Sequence, residues 1–213
     1  MRLVVTRPQH DVTTSYLFVW AKEIINLAEN KGVQVTDLQG ENANRHELEG
    51  RIRKLQPESI FLNGHGNEDH VTGHNDEILI KMDDNHEILE GRITYALACK
   101  SGKLLGQRIS KNNGATYIGY SDDFIFICDH NHIARPLTDP KAQPFMESSN
   151  QVMISLLKGH SAQEASERSK NVFNKHFTRL LSSSTDPDSL QTAKYLWWNM
   201  RNQVCLGNGE ATL

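Results

Sequence analysis

Cysteine is scarce in this chain, with three in 213 residues. An odd and low count excludes the dense disulfide framework of small secreted domains. It fits a reducing cytosol, where a free thiol persists and reacts. Charge of one sign is not in excess either. Charged residues make up 23% and the formal net charge is −3, which argues against electrostatic binding of nucleic acid or an anionic membrane surface. Long apolar runs are absent too, and none approaches the roughly 20 residues of a bilayer-spanning helix. Met1-Arg2-Leu3-Val4-Val5 enters a strand-like pattern directly, without the apolar region or cleavage site of a signal peptide. A cytoplasmic protein is therefore expected. No P-loop, G-x-G-x-x-G or G-x-S-x-G motif occurs, which weakens nucleotide-binding and serine-hydrolase readings. Internal repeats and long low-complexity tracts are missing as well.

What the chain has is alternation. Arg2–Thr6 reads as a strand. Residues 13–31 follow as a helix with Leu17, Trp20, Ile24 and Leu27 at helical spacing, stopped by Gly32. Residues 33–38 alternate like a strand, and 43–55 form a helix with Leu48, Ile52 and Leu55 on one face, ended by Pro57. Residues 59–62, 93–98 and 115–120 read as strands, 102–112 as a helix, and 77–82 as a strand of a hairpin in the polar stretch 64–92. Strands alternating with helices predict a mostly parallel sheet covered on both faces, an α/β/α sandwich.

From residue 141 to 213 the pattern is mainly helical, and the chain reads as one domain with this helical extension. Residues 144–157 form one helix, ended by Gly159. Ser161 and Glu164 make a capping box for the next. Asp186 and Pro187 cap and start a third, which runs through Trp197 and Trp198 and follows a short polar linker at 182–185.

In such sheets, sites lie at the carboxyl ends of strands near a topological switch point. The strand at 59–62 runs into Asn63-Gly64-His65-Gly66-Asn67, and the strand at 93–98 into Cys99-Lys100-Ser101-Gly102. A thiol acts as a nucleophile only as thiolate, and an imidazole or a helix N-terminus lowers its pKa. Cys99 is thus the candidate nucleophile and His65 the candidate base. Gly64 and Gly66 leave room for a substrate backbone beside the imidazole. The amides of Gly66 and Cys99 form the expected oxyanion hole. A lone cysteine at a strand end is usually a small buried hydrophobe and a lone histidine between glycines usually a loop residue. Their joint placement on two strand ends favours chemistry.

These residues also resemble a family. Gly64-His65-Gly66 after one apolar strand, then Ala98-Cys99-Lys100-Ser101-Gly102 after the next, is similar to the caspase–gingipain–separase clan of cysteine peptidases, above all its CHAT (caspase/HetF-associated) branch. The likeness covers the first 125 residues. It extends toward the end through Trp198-Asn199 and Val204-Cys205-Leu206-Gly207-Asn208. The chain departs from the caspase signature Gln-Ala-Cys-x-Gly: Leu97 stands in the Gln position and Ser101 in the Gly position. Only 34 residues separate His65 from Cys99, against about 50 in caspases. The resemblance implies peptide-bond hydrolysis through an acyl-enzyme without a cofactor. It also implies a specific cellular protein as substrate, room for a regulatory protein partner, and a setting in bacterial regulation or defence.

The resemblance further implies that the pocket for the residue before the cut is lined by loops after the first strand, beside the nucleophile, and after the following strand. Leu97, Asp122 and Asp123 are the substrate-binding candidates. The two carboxylates favour Lys or Arg, whereas Leu97 with Phe124 would form a pocket for an uncharged residue. Asp11 reads as the cap of the first helix.

Two rivals stand beside this reading. One is a catalytically silent module that binds partners. The other is a metal-dependent hydrolase built on His65, His70, His74 and His86 in the polar loop. No helical i, i+4 pair frames those histidines, so no metal site is expected. Asp129-His130-Asn131-His132 reads as a solvated loop, Cys128 and Cys205 as core thiols, and Trp197-Trp198 as core packing.

Overall fold

The strands divide their side chains between two cores. Leu3, Val5, Phe61, Tyr95, Leu97, Ile118 and Tyr120 enter one, while Val4, Ile60, Leu62, Ala96, Ala98 and Tyr117 enter the other. Alternation of this kind fixes a sheet buried on both faces. A computed structural model describes residues 1–111, 114–183 and 187–213. The elements are β1 (Arg2–Arg7), α1 (Val12–Asn30), β2 (Gln34–Gln39), α2 (Arg45–Leu55), β3 (Ser59–Asn63), β4 (Gly66–Asn67), β5 (His70–Thr72), β6 (Ile78–Lys81), β7 (Ile93–Leu97), α3 (Leu105–Ser110), β8 (Thr116–Tyr120), α4 (Gln143–Leu157), α5 (Ala162–Ser183), α6 (Pro187–Asn202) and β9 (Gln203–Gly207).

The main sheet has the order β2-β1-β3-β7-β8-β9. Pairings from β2 to β8 are parallel, and β9 joins antiparallel to β8. The protein is therefore α/β, with a mostly parallel mixed sheet and a helical C-terminal part. Helices α1 and α4 cover one face, where Tyr16, Leu17, Ile24, Ile25, Met146, Val152 and Met153 fill the first core. Fully burying such a side chain is worth about 1.5–3 kcal/mol. Leu48 and Ile52 of α2 and Leu105 and Ile109 of α3 cover the other face, together with Val71, Leu79 and Ile80 of the small β4-β5-β6 sheet. Phe145, Phe173 and Leu196 tie α4, α5 and α6 together.

Several sequence expectations shift. The hairpin expected around residues 77–82 is a three-stranded antiparallel sheet. The helix expected at 102–112 begins later, at Leu105, because Ser101 and Gly102 are held in a turn: Gly102 N–H donates to Tyr120 O at 2.8 Å. Strand β9 follows α6 without a break, so no turn signal announced it. Ser182 and Ser183 close α5 instead of forming a linker. The remainder of that linker and the Asp186 cap lie outside the described residues. Trp197 is exposed beneath Arg201 and is not core, and Trp198 has a positioning role described below. Cys128 and Cys205, expected as core thiols, are only partly buried and pack against the edge of the first core, whereas Asp129 caps an exposed turn at 130–132, as expected. No helix among the described residues is long and apolar enough to cross a membrane.

Candidate active site

The switch point lies between β1 and β3. Their pairing covers Leu3–Val5 against Ser59–Phe61, and beyond it the strands part. Two side chains bridge the gap. Asn63 Nδ2 donates to Thr6 O at 2.9 Å, and Asn63 N–H donates to Thr6 Oγ1 at 3.0 Å. Strand β3 then delivers His65 to the carboxyl end of the sheet. Strand β7, paired to β3 as far as Asn63 opposite Leu97, delivers Cys99 beside it. Both residues border one narrow cleft with Thr13, Leu17, Gly64, Leu97, Ala98 and Phe124. It has room, ≈ 20 Å³, for little more than one water molecule.

The glycines serve a different purpose from the one expected. A Cβ on Gly64 would lie 2.0 Å from Thr72 O, and one on Gly66 2.8 Å from Cys99 O. The space beside the imidazole is thus taken by the protein's own backbone, which lets the β4–β5 ribbon close onto the loop that carries Cys99. Thr72 N–H donates to His65 O, so the Gly66–Val71 pair is a non-hydrogen-bonded one and the Gly66 amide points away from β5. The Cys99 amide has no partner among the described residues. Lys100, next in sequence, holds φ at +56°, a left-handed conformation costly for a residue with a β-carbon. Its amide donates to Asp122 O at 3.0 Å, which fixes this sharp turn.

His65 has a partner in Asp11, whose place in the sequence marks it only as a cap. Asp11 does cap α1, accepting from the Thr14 amide at 2.7 Å. Its other oxygen, Oδ2, lies 2.6 Å from His65 Nε2. Burial pushes the Asp11 carboxyl up, but hydrogen bonds from the Thr14 amide and hydroxyl and from His65 outweigh it and hold it down to about 2. An ionised Asp11 accepts only, so Nε2 carries the proton and Nδ1 is the basic nitrogen of the neutral ring. This tautomer is inferred from the hydrogen bond.

The Cys99 thiol donates to Phe124 O, 3.8 Å away, and no hydrogen bond joins it to His65, whose Nε2 is paired with Asp11. Burial first, and then the Asp123 carboxylate, push the Cys99 thiol up to about 11. An alkylating probe needs thiolate. Relative to an ordinary thiol, a rise of about two pKa units leaves roughly a hundredfold less thiolate at pH 8. Iodoacetamide should therefore label Cys99 slowly in the isolated chain at neutral pH, with a rate still climbing above pH 10. A rate already level by pH 8, measured by intact mass, would contradict this buried arrangement of the thiol.

The expected pocket residues are brought to the same end. Leu97 lines the cleft with Phe124. Asp122 and Asp123 flank the Cys99 loop without lining the cleft. Asp122 Oδ1 accepts from the Asp123 amide at 2.8 Å, and Asp123 pairs with Lys100 Nζ at 3.2 Å. This loop is pinned from the helical extension. Trp198 Nε1 donates to Asp123 O at 2.9 Å, and Asn199 brackets the Ile125 amide and carbonyl at 3.0 and 2.7 Å.

The four histidines weighed as a metal set do not converge. His70 pairs with its neighbour Asp69 at 2.6 Å, and His86 is buried on Asp83, accepting from its amide at 3.1 Å. A different set does converge. One donor atom each from His10, His65 and Asp76 lie within 4.8 Å of one another. His10 was missed because it reaches the site from the β1–α1 loop, far from the other two in sequence. No protein-family model matches the chain, and no curated protein matches it.

Proposed function

We propose that this protein is a cysteine peptidase in which Cys99 attacks the scissile carbonyl and His65 serves as base and then acid. The observation that carries the reading is the placement of His65 and Cys99 on adjacent parallel strand ends, bordering one cleft at the switch point. Asp11 orients the imidazole in the manner of a triad's third member. The amides of Gly66 and Cys99 hold the oxyanion. In this proposal the substrate draws His65 Nδ1 and the thiol together, converting the resting pair to imidazolium and thiolate, and an acyl-enzyme forms and is hydrolysed. No cofactor enters these steps. The substrate is a protein. The three free cysteines suit a reducing, cytoplasmic setting, and likeness to the CHAT branch supports a regulatory or defence role.

Leu97, Asp122 and Asp123 are proposed to bound the pocket for the residue before the cut. Matched peptides differing only at that residue test the reading. Cleavage after Lys or Arg, lost in Asp123→Ala, supports acidic recognition. Equal cleavage after Leu or Met, unchanged in Asp122→Ala and Asp123→Ala, assigns the pocket to Leu97 and Phe124. No cleavage of any peptide by chain purified in reductant counts against the peptidase.

A second reading, a catalytically silent module that binds partners, is favoured by one observation: the Cys99 thiol is directed to Phe124 O and not to His65. It predicts that no ligand or partner brings Cys99 to react rapidly at neutral pH.

A further inference from the structure

The β1–α1 loop and the turn after β5 bring polar groups to His65 that the peptidase reading does not use. His10 packs edge-on to His65 with ring centroids 5.9 Å apart, and edge-on to His74 at 5.4 Å. His10 Nε2 already lies 3.3 Å from Asp76 Oδ1, about the separation of two ligands on a tetrahedral Zn²⁺ with bonds near 2.0–2.1 Å. The other ring nitrogen, His10 Nδ1, is buried and has no hydrogen-bond partner among the described residues, a costly state for a polar atom.

Asp76 is held in place by unusual backbone. Asn75 and Asp76 sit consecutively at φ +52° and +58°, left-handed values that side chains seldom adopt. The His74 ring anchors this turn to the β1–α1 loop by accepting the Gln9 amide at 3.3 Å. With Asp11 on His65, two carboxylates face two imidazoles. This is a local charge pattern suited to a dication.

We propose that His10, His65 and Asp76 form a binding site for a divalent transition metal, with Zn²⁺ the ion whose ligand preferences they match, and that the bound metal holds the peptidase off by taking His65. The second half rests on the proposed peptidase activity. Two imidazoles and a carboxylate are a common Zn²⁺ donor set that leaves a fourth position to water. A metal on His65 removes the base that the Cys99 thiol needs. Inhibition therefore comes without a metal–sulfur bond.

Calorimetric titration of the intact, tag-free chain with ZnCl₂ tests the site, and peptide hydrolysis in the same buffer tests its consequence. One Zn²⁺ should bind per chain, and bind equally well to Cys99→Ala. His10→Ala and Asp76→Asn should each weaken binding roughly 10–100-fold or more. They should also cleave at the wild-type rate in chelator while resisting inhibition by Zn²⁺. Absence of stoichiometric binding, or its loss in Cys99→Ala, overturns the site. Cleavage that rises with Zn²⁺, above all in Cys99→Ala, overturns the inhibitory role and points to a metal-dependent hydrolase. A chain that binds Zn²⁺ through these residues but cleaves nothing keeps the site while the peptidase reading and the inhibition both fail.

Discussion

Replacing Cys99 by alanine is expected to reduce peptide hydrolysis to the uncatalysed background, and replacing His65 by alanine to lower kcat roughly 10²–10⁴-fold. The two losses should not add in the double variant, because the residues act as a unit. Asp11→Asn is the informative third variant. Asparagine caps a helix about as well as aspartate, so α1 should survive. The amide, however, carries no charge to favour the Nε2–H tautomer or the imidazolium. Its kcat should fall while thermal stability stays within about 1 kcal/mol of wild type. Steady-state kinetics with a cleaved peptide, alongside circular dichroism to verify folding, measures all three. If Cys128→Ala abolished turnover and Cys99→Ala did not, the nucleophile would have been misassigned.

The largest expected effect on stability lies at the end of β1. Arg7 is almost wholly buried, its side chain 4% exposed. Nε donates to Asp37 Oδ1 at 2.8 Å and Nη2 to Oδ2 at 2.5 Å, while Nη1 donates to Phe18 O at 2.9 Å. The guanidinium also lies 4.2 Å above the Phe18 ring. This one side chain ties β1 to β2 and to α1 just before the loop that carries His10 and Asp11. Arg7→Ala strips the neutralising partner from a largely buried Asp37 carboxylate, and breaking such a pair costs about 3–5 kcal/mol. Arg7→Lys keeps the charge but loses the fork geometry and should fall between. Urea unfolding monitored by tryptophan fluorescence checks the order. A loss under 1 kcal/mol in Arg7→Ala would mean that Asp37 finds water once the arginine is gone.

Much of the architecture was legible because burial writes itself into periodicity. Strands β1, β3, β7 and β8 sit between two cores, and their apolar runs separated by helical patterns could hardly be read otherwise. The His65–Cys99 placement followed from the same rule, since parallel strands put their ends on one side. What stayed hidden depends on groups that meet only after folding. Asp11 looked like a cap and is one, and its second oxygen reaches a histidine 54 residues away. His10 had no local pattern to mark it. Gly64 and Gly66 gave the right signal, a close approach, but the approaching chain is Thr72 and Cys99 backbone. Trp198 and Asn199 were legible as helical positions, yet their hold on the loop at 123–125 depends on how α6 packs.

The most direct measurement is covalent capture with a peptidyl acyloxymethyl ketone, which transfers its peptide to a cysteine activated by a neighbouring base. The adduct is mapped by mass spectrometry in wild type, Cys99→Ala and His65→Ala. A peptidase of the kind proposed gives one adduct, on Cys99, absent in Cys99→Ala and strongly slowed in His65→Ala. Labelling at Cys128 or Cys205, or labelling of Cys99 at the same rate without His65, would contradict it.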